Sequence, residues 1–410
     1  DGPPDQPTYP VRLPRGDRST AVEADWATVL EAAGADNAFD RAAQRMPAWS
    51  FDDIAAMLAH VIDWTQDDGG SSDTALGFFT QLLDQRYDTG TKKPAALRAL
   101  AGEAIQSVFD DLPLCDASSD HASRRVDFSS VGRLSPPPPG GGLLAIDARG
   151  FDVEGPHSVA RLIVRAYKLG WRRIAVYACH GDRFLGCGLG PNSRGVRLDI
   201  YGSPGDYIGS GLDGAEVHVH GNAQDQVGQI LKSGRIVIHG SVGQTLLYGA
   251  KGGEVFVRGN TAGRPLINAV GNVRVVVNGT CLDYAAESFM AGAVTGGGFL
   301  VINGLCNLDD GRVYGLEVKY PGTNLFSLAS GGCCYLNDPY FTVSESQLNG
   351  ARFDPFLQED WNVLETYLRM NQQLFRIHTR YDLLMVDGVL RWPKEVFRKV
   401  VPATAPEPVE

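Results

Sequence analysis

Apolar and polar residues alternate in a pattern that repeats through the middle of the chain. Each repeat contains a short strand-like stretch that ends at a glycine, and these glycines are Gly202, Gly221, Gly240, Gly259, Gly279 and Gly304. The intervals between them are 19, 19, 19, 20 and 25 residues. Aliphatic residues stand two and four positions before each glycine, as in Val217 and Val219. Because side chains alternate between the two faces of a strand, the pattern predicts six strands that bury one shared face.

A column of charges accompanies the aliphatic columns. Five positions before the first five glycines stand residues whose sign alternates from one repeat to the next, namely Arg197, Glu216, Arg235, Glu254 and Arg274. If successive repeats stack as parallel strands about 4.8 Å apart, each inner charge lies between two opposite charges. The column therefore predicts a parallel stack in register, with one strand from each repeat.

The remainder of each repeat predicts a second buried side. Aliphatic residues recur six positions after the glycines, as in Ile208, Val227 and Leu246, and later glycines allow the chain to turn corners. We therefore predict a mainly β fold, a right-handed parallel β-helix with coils of about 19 residues. The stretch GSGLDG at 209–214 also fits a dinucleotide-binding pattern, but a strand is expected after it, so its glycines are assigned to the repeat.

The flanking segments predict further elements. Residues 1–115 form an N-terminal region, in which a Pro- and Asp-rich extended arm to about residue 49 precedes three helical patterns. Residues 116–142 form a Pro/Gly-rich linker. Residues 143–305 hold the repeats and a β-α-β lead-in with parallel strands. Residues 306–410 form a capping segment with an amphipathic helix and a hairpin.

Composition excludes two classes of partner. The net charge is −11, whereas a surface for nucleic acid or an anionic membrane needs clustered Lys and Arg. The sequence also has no run of about 18 apolar residues of the kind that spans a membrane. Seven cysteines occur without a CxxC pair, which is typical of a reducing compartment, so we expect a cytoplasmic protein.

Three histidines are the sharpest candidate for a metal site. His218 and His220 share the outward face of one predicted strand, and His239 aligns with His220 one repeat further along. Three imidazoles about 4.8 Å apart suit Zn²⁺. The same column also fits an ordinary polar ladder on an outer face. We therefore assign no catalytic or cofactor-binding residue and keep the three histidines only as a metal-site candidate.

An apolar strip on the outward face carries information about packing. Its members stand three positions before their glycines and are Val237, Phe256, Val276 and Val301. An exposed apolar strip of that kind is normally covered. We predict that a partner subunit, the N-terminal helices or the C-terminal segment packs over it.

Several motifs resemble the GXGXG β-helix domain family. They are the glycine repeat, DARG and RRIAVY before it, GDYIGSGLDGAEVHVHGNAQDQVG within it and YPGTNLFSLASGG after it. The domain forms the C-terminal part of glutamate synthase large subunits and also occurs as a separate subunit of formylmethanofuran dehydrogenase. There it is a structural module beside catalytic domains or subunits that carry FMN and iron–sulfur clusters, or molybdenum or tungsten. The resemblance is strong over residues 143–305 and implies no cofactor in this chain.

Three functional hypotheses follow. The first is a non-catalytic scaffolding subunit of a multi-subunit oxidoreductase complex resembling glutamate synthase, in which other protein subunits carry out glutamine-dependent ammonia transfer and reduction. The alternative is the corresponding GXGXG component of a formylmethanofuran dehydrogenase or a formyltransferase/hydrolase complex. A hypothesis of another class is a stand-alone metal-binding protein that uses the histidines on the outer face.

Overall fold

The structure is a computed structural model, and it describes residues 26–67, 70–115, 121–307 and 312–405. The first 25 residues of the predicted arm and residues 116–120 of the predicted linker lie outside these ranges. The chain divides into two compact units, of which the first runs to Asp111 and the second begins at Leu112.

The first unit consists, in its described part, of helices packed on one another. Their bounds are α1 Trp26–Arg45, α2 Phe51–Trp64, α3 Ser72–Asp84 and α4 Pro94–Asp111. A capping box precedes α2, because the Ser50 hydroxyl accepts from the backbone N–H of Asp53 and the Asp53 carboxylate accepts from that of Ser50. The three predicted helical patterns correspond to α2, α3 and α4.

Helix α1 corrects the prediction of an extended arm up to about residue 49. Its buried side chains are Trp26, Leu30, Ala38, Phe39 and Ala42. The backbone leaves the helical conformation at Gly34, where φ is 71°. This break divides the apolar pattern into two short pieces, so the sequence shows no continuous helical period over the segment.

The second unit is built on a large sheet. The strands of its described part are β1 Arg124–Val126, β2 Leu143–Asp147, β3 Arg173–His180, β4 Arg197–Ser203, β5 Asp213–Val219, β6 Ser233–Ile238, β7 Glu254–Val257, β8 Arg274–Val277, β9 Phe299–Ile302, β10 Leu305–Asn307, β11 Val313–Gly315, β12 Cys333–Asn337, β13 Ala351–Asp354, β14 Met385–Val386, β15 Val389–Leu390 and β16 Phe397–Pro402. Twelve of them form one sheet in the order β1-β2-β3-β4-β5-β6-β7-β8-β9-β12-β16-β13. In this sheet the strands β1 to β9 and β12 pair in parallel, whereas β16 pairs antiparallel with both of its neighbours. Strands β10 and β11 pair antiparallel with each other in a separate sheet.

The described part of the second unit also contains three α-helices. Their bounds are α5 Val159–Leu169, α6 Gln358–Phe375 and α7 Pro393–Val396, with 3₁₀ turns at Phe128–Arg133 and Glu345–Gln347 and a π turn at Thr379–Leu383. The predicted β-α-β lead-in is confirmed as β2, α5 and β3, because β2 and β3 pair in parallel. The predicted C-terminal hairpin is confirmed as β14 and β15. Within the described ranges, every helix is too short or too polar to cross a lipid bilayer.

The stacking register of the repeats is confirmed by the strand pairing. Residues in direct register on β4 to β8 are Arg197, Glu216, Arg235, Glu254 and Arg274, which we call the charge file. The aliphatic residues that alternate with them, such as Val217 and Val219, are fully buried. The spacing of 19 residues therefore corresponds to the step from one strand to the next.

The prediction of a mainly β, closed parallel β-helix is wrong. The strands lie side by side in one mostly parallel sheet with helices, at 30% helix and 23% strand, which is an α/β-type fold. Only one stretch of each repeat forms a strand of this sheet, and elsewhere the repeats are joined by isolated parallel bridges such as Ala223 to Val242. The positions predicted to form a second buried side, such as Ile208, Val227 and Leu246, are buried, but they lie in tight turns. The backbone passes through left-handed φ at alternate residues of these turns and so does not continue as a strand.

The turns stack on one another as regularly as the strands do. We call the segments 184–188, 207–211, 226–230, 245–249, 264–268 and 284–288 the turn ladder. The first, third and fifth residue of each segment has a left-handed φ, which is 65° at Gly209 and 71° at Gly211. Later turns place other residues there, including Leu247 at 63°. Backbone hydrogen bonds join neighbouring turns, as from Leu247 N–H to the Val227 carbonyl at 2.8 Å.

Glycine is required where the strands end because a neighbouring side chain occupies the place of a Cβ. A Cβ on Gly240 would lie 2.3 Å from Oδ1 of Asn222, and one on Gly279 would lie 2.0 Å from Oδ1 of Asn260. The Asn222 oxygen accepts a hydrogen bond from the backbone N–H of Ser241 at 2.8 Å, and so it cannot move away without losing that bond. The glycine spacing of the sequence is therefore a direct consequence of the stacking.

Candidate functional site

Three histidines gather on the outward face of the sheet. His218 lies on β5, His220 follows the same strand, and His239 follows β6. The ring centroids of His220 and His239 are 5.4 Å apart, and that of His218 is 6.1 Å from each of them. The backbone N–H of His239 donates to the Val219 carbonyl at 2.9 Å, which fixes the offset between the two strand ends. The structure therefore brings together all three residues of the predicted metal-site candidate.

Two carboxylates bind two of these imidazoles. Nε2 of His220 lies 3.0 Å from Oδ1 of Asp199, and Nε2 of His218 lies 2.5 Å from Oε1 of Glu216. The guanidinium of Arg197 donates to Asp199 at 2.8–3.1 Å. The arrangement follows from the strand period, because residues two apart on one strand share a face and residues in register on the next strand lie beside them.

Burial and hydrogen bonding set the charges of this cluster. Burial alone would raise the pKa of Asp199, but hydrogen bonds from His220 and Arg197 and their charges hold it well below its usual value. The hydrogen bond from His218 lowers the pKa of Glu216. Burial lowers the pKa of His218, although Glu216 acts in the opposite direction. At neutral pH the two carboxylates are therefore ionised and His218 is neutral.

Aromatic rings hold the imidazoles in place. Tyr201 stacks on His220 with ring centroids 4.2 Å apart and planes at 13°. Phe375, the last residue of α6, meets His239 edge-on at 5.3 Å.

Imidazole is a zinc ligand, but Nε2 of both His218 and His220 faces a carboxylate, so an ion bound by these two would use Nδ1. Asp199 and Glu216 would then be the outer carboxylates that often orient metal-binding histidines.

Helix α6 covers the apolar strip predicted to face a partner or another part of the chain. The four residues of the strip are fully buried, and they are Val237, Phe256, Val276 and Val301. They pack in one cluster with Leu364 and Leu368 of α6. Of the three covers considered from the sequence, the C-terminal segment occupies this position. The strip is therefore not a free surface for a partner subunit.

Polar residues on the buried side of α6 were not predicted from the sequence. Asp360 accepts hydrogen bonds from Lys399 at 2.8 Å and from the Tyr335 hydroxyl at 2.8 Å, and Asn371 bonds to Asn278 of the sheet. A signal for them does exist in the sequence. Asp360 and Asn371 are spaced at helical intervals among the apolar residues of α6, and polar residues on such a face are buried with the rest.

Five cysteines have thiol pKa values that are raised by burial, so none of these five is a reactive thiol. Burial raises the pKa of Cys187 to about 11 and the pKa of Cys281 and Cys333 to about 12. It raises the pKa of Cys179 and Cys334 well above the ordinary value. Because the thiolate is the metal ligand and nucleophile, these five side chains are suited to packing.

Comparison with known proteins identifies the family but not an individual relative. Residues 180–384 match the sequence profile described as the GXGXG motif, which is half of the chain. The search of curated proteins gave no match. The matched region contains β4 to β9 and the turn ladder from residue 184 onward, in which alternate residues have left-handed φ. The family suggests a glutamate synthase-like domain. The chain belongs to the GXGXG motif family.

Proposed function

We propose that this chain is a non-catalytic scaffolding subunit of a multi-subunit oxidoreductase complex that resembles glutamate synthase. In this proposal, partner subunits carry FMN and iron–sulfur clusters and perform glutamine-dependent ammonia transfer and reduction. The contribution of this chain is to hold those subunits at fixed distances. Membership of the GXGXG motif family supports the comparison with glutamate synthase.

The observation that carries the proposal is that each repeat is hydrogen-bonded to its neighbouring repeats at two places, its strand and its turn. Neighbouring repeats are joined by the parallel strands on one side and by the turn ladder on the other. The side chains between them, such as Val217, Ile208 and Leu246, are fully buried. A close-packed interior of this kind transmits strain and yields little to deformation. That stiffness is what the fixed positioning of other subunits requires.

The state of the reactive side chains also supports a structural role. The imidazoles of His218 and His220 bond to carboxylates of the same chain. The thiols of Cys281, Cys333 and Cys334 are buried and have raised pKa values. These imidazoles and thiols are thus engaged by or buried within the chain itself, as expected of side chains with a structural role.

Purification of the complex from the cells that produce the chain tests the proposal. A tagged full-length chain is expected to bring down subunits whose spectrum shows flavin and iron–sulfur absorbance, and glutamate-forming activity is expected in the complex only. Glutaminase or reductase turnover by the purified chain alone would contradict the proposal. A complex that contains molybdenum or tungsten would instead support the alternative role in a formylmethanofuran dehydrogenase.

Metal binding by the histidine cluster is a second candidate function. It is favoured by the ring separations of 5.4–6.1 Å among His218, His220 and His239. If it is correct, the purified chain dialysed against Zn²⁺ should retain one equivalent by elemental analysis, and His220→Ala should retain none. His378→Ala changes an exposed histidine of the same unit and serves as the control. A wild-type chain that retains no zinc would rule this candidate out.

A further inference from the structure

A cleft of about 470 Å³ opens where strands β5 to β8 begin. Four members of the charge file line it, together with Arg194 from the loop before β4 and Tyr367 from α6. The lining thus contains the guanidinium groups of Arg194, Arg235 and Arg274 and the carboxylates of Glu216 and Glu254. Its volume lies within the range of about 300–1,000 Å³ that is common for small-molecule sites.

Glu254 and Arg274 are oppositely charged neighbours in this cleft, but each forms its hydrogen bonds with other residues. Glu254 and Arg274 stand in direct register on β7 and β8. Glu254 nevertheless accepts from Arg235 on the other side, at 2.8 and 3.1 Å and both times through Oε2. Arg274 donates to the Tyr367 hydroxyl and, at 3.2 Å, to the Gly296 carbonyl. The step between β7 and β8 therefore presents a carboxylate and a guanidinium side by side.

Arg274 also has a donor that lacks an acceptor. Its Nε atom is buried, and among the described residues it has no hydrogen-bond partner. The guanidinium carbon lies 5.2 Å from the centroid of the Tyr367 ring, and this ring restrains it. A buried N–H without an acceptor costs free energy, so the chain itself leaves the hydrogen-bonding capacity of the Arg274 guanidinium incompletely used.

We propose that the cleft binds a zwitterionic α-amino acid, whose carboxylate bonds to Arg274 and whose ammonium group bonds to Glu254. An α-amino acid carries its two charges on adjacent groups, and adjacent parallel strands present their side chains about 4.8 Å apart. A simple anion would be repelled by Glu216 and Glu254, and a simple cation would be repelled by the three guanidinium groups. The proposal does not depend on the scaffolding function, since it concerns only the side chains of this cleft.

Binding to the full-length chain tests the proposal. Each of the twenty common L-amino acids is screened by thermal shift, and the best is measured by calorimetry beside its analogue without the amino group and its analogue without the carboxylate. We expect at least one amino acid to bind, and both analogues to bind about tenfold more weakly or worse, because each loses a charged hydrogen bond. Arg274→Gln and Glu254→Gln are expected to weaken binding by at least about the same factor.

Control variants separate the site from the rest of the charge file. Arg197→Gln changes a member of the file that does not line the cleft, and its affinity should equal that of the wild type. Tyr367→Phe removes only the hydroxyl that positions Arg274, so it tests the site if Arg274→Gln does not fold. The proposal fails if none of the twenty amino acids binds below about 10 mM. It also fails if the cleft variants bind like the wild type, or if the analogue without the amino group binds as tightly as the amino acid.

Discussion

Asn278 and Asn371 exchange two hydrogen bonds between the sheet and helix α6. Nδ2 of Asn278 donates to Oδ1 of Asn371 at 2.7 Å, and Nδ2 of Asn371 donates to Oδ1 of Asn278 at 2.8 Å. Both side chains are fully buried. Asn303, one strand further along, donates to the same Asn278 oxygen at 2.9 Å. The cover over the apolar strip is therefore fixed by directional contacts as well as by apolar packing.

Loss of this exchange is expected to destabilise the chain. Asn371→Leu leaves the buried amide of Asn278 without two of its bonds, and the free energy of unfolding should fall by about 1–3 kcal/mol. Urea unfolding at neutral pH measures the change. Asn362→Leu alters an exposed asparagine of the same helix and should change stability by less than about 0.5 kcal/mol. Equal effects of the two substitutions would show that the exchange contributes nothing.

The turn ladder predicts a cost for side chains that depends on backbone conformation alone. A Cβ on Gly211 would meet no atom within 4 Å, but its φ of 71° is left-handed. Gly211→Ala should therefore destabilise by about 1 kcal/mol. Gly190 is equally open and its φ lies outside the left-handed range, so Gly190→Ala should be close to neutral. A matching loss in both variants would contradict the conformational explanation.

The buried ion pair beneath α6 is expected to respond strongly to the removal of one partner. Lys399 and Asp360 are 2.8 Å apart, with side chains 2% and 0% exposed. Lys399→Met should cost about 3–5 kcal/mol because it leaves a buried carboxylate without its cation. The double variant Lys399→Met/Asp360→Leu should recover a large part of that loss.

A surface pair provides the comparison for this prediction. Arg369 and Glu365 on α6 are also 2.8 Å apart, but the Arg369 side chain is 72% exposed. Arg369→Met should change the free energy of unfolding by less than about 0.5 kcal/mol. Thermal and urea unfolding of the wild type and the three variants check both expectations. A Lys399→Met protein as stable as Arg369→Met would contradict the first.

Acidification is expected to destabilise the fold through His218. Burial lowers its folded-state pKa below the ordinary value of about 6.5; Arg197 and His220 act in the same direction, and Glu216 and Asp199 oppose them. The unfolded chain therefore binds more protons than the folded chain as the pH falls below about 6.5, and stability declines until the folded pKa is passed. The lowered pKa of Glu216 adds a loss at lower pH, below its unfolded value of about 4.3.

Substitution of His218 isolates its part of this pH dependence. His218→Gln removes the titrating imidazole and should flatten the fall in the free energy of unfolding between about pH 7 and pH 5. His378→Gln, at an exposed histidine, should leave the slope unchanged. An identical slope in wild type and His218→Gln would assign the acid sensitivity to other groups.

The strand stack could be predicted from the sequence because its side chains report on it directly. Alternating charges such as Glu216 and Arg235 mark residues in register, and glycines such as Gly240 mark the places where a neighbouring repeat excludes a Cβ. The turns could not be predicted in the same way. Leu247 and Leu266 occupy the left-handed positions that Gly209 holds in an earlier turn, and aliphatic residues there resemble a strand in the sequence.

Which of the three candidate covers packs on the apolar strip, and the presence of the cleft, could not be predicted for a different reason. Both depend on which element packs over the outward face, and nothing in the repeats specifies α6. The cleft in particular needs Tyr367, which the sequence shows only as one more apolar position of an amphipathic helix. Long-range packing of this kind is not encoded in local periodicity.

Helix α6 limits the number of repeats that can lie beneath it. Its 18 residues span about 27 Å, and it touches β6 through Phe375 and His239 at one end and β12 through Asp360 and Tyr335 at the other. The five neighbouring strands from one end to the other, β6, β7, β8, β9 and β12, extend over only about 19 Å at 4.8 Å per step. Duplication or deletion of a whole repeat would leave the interior contacts intact, but it would move the two ends of the helix out of reach of their partners. The count of repeats under α6 can therefore change only together with the length of the helix.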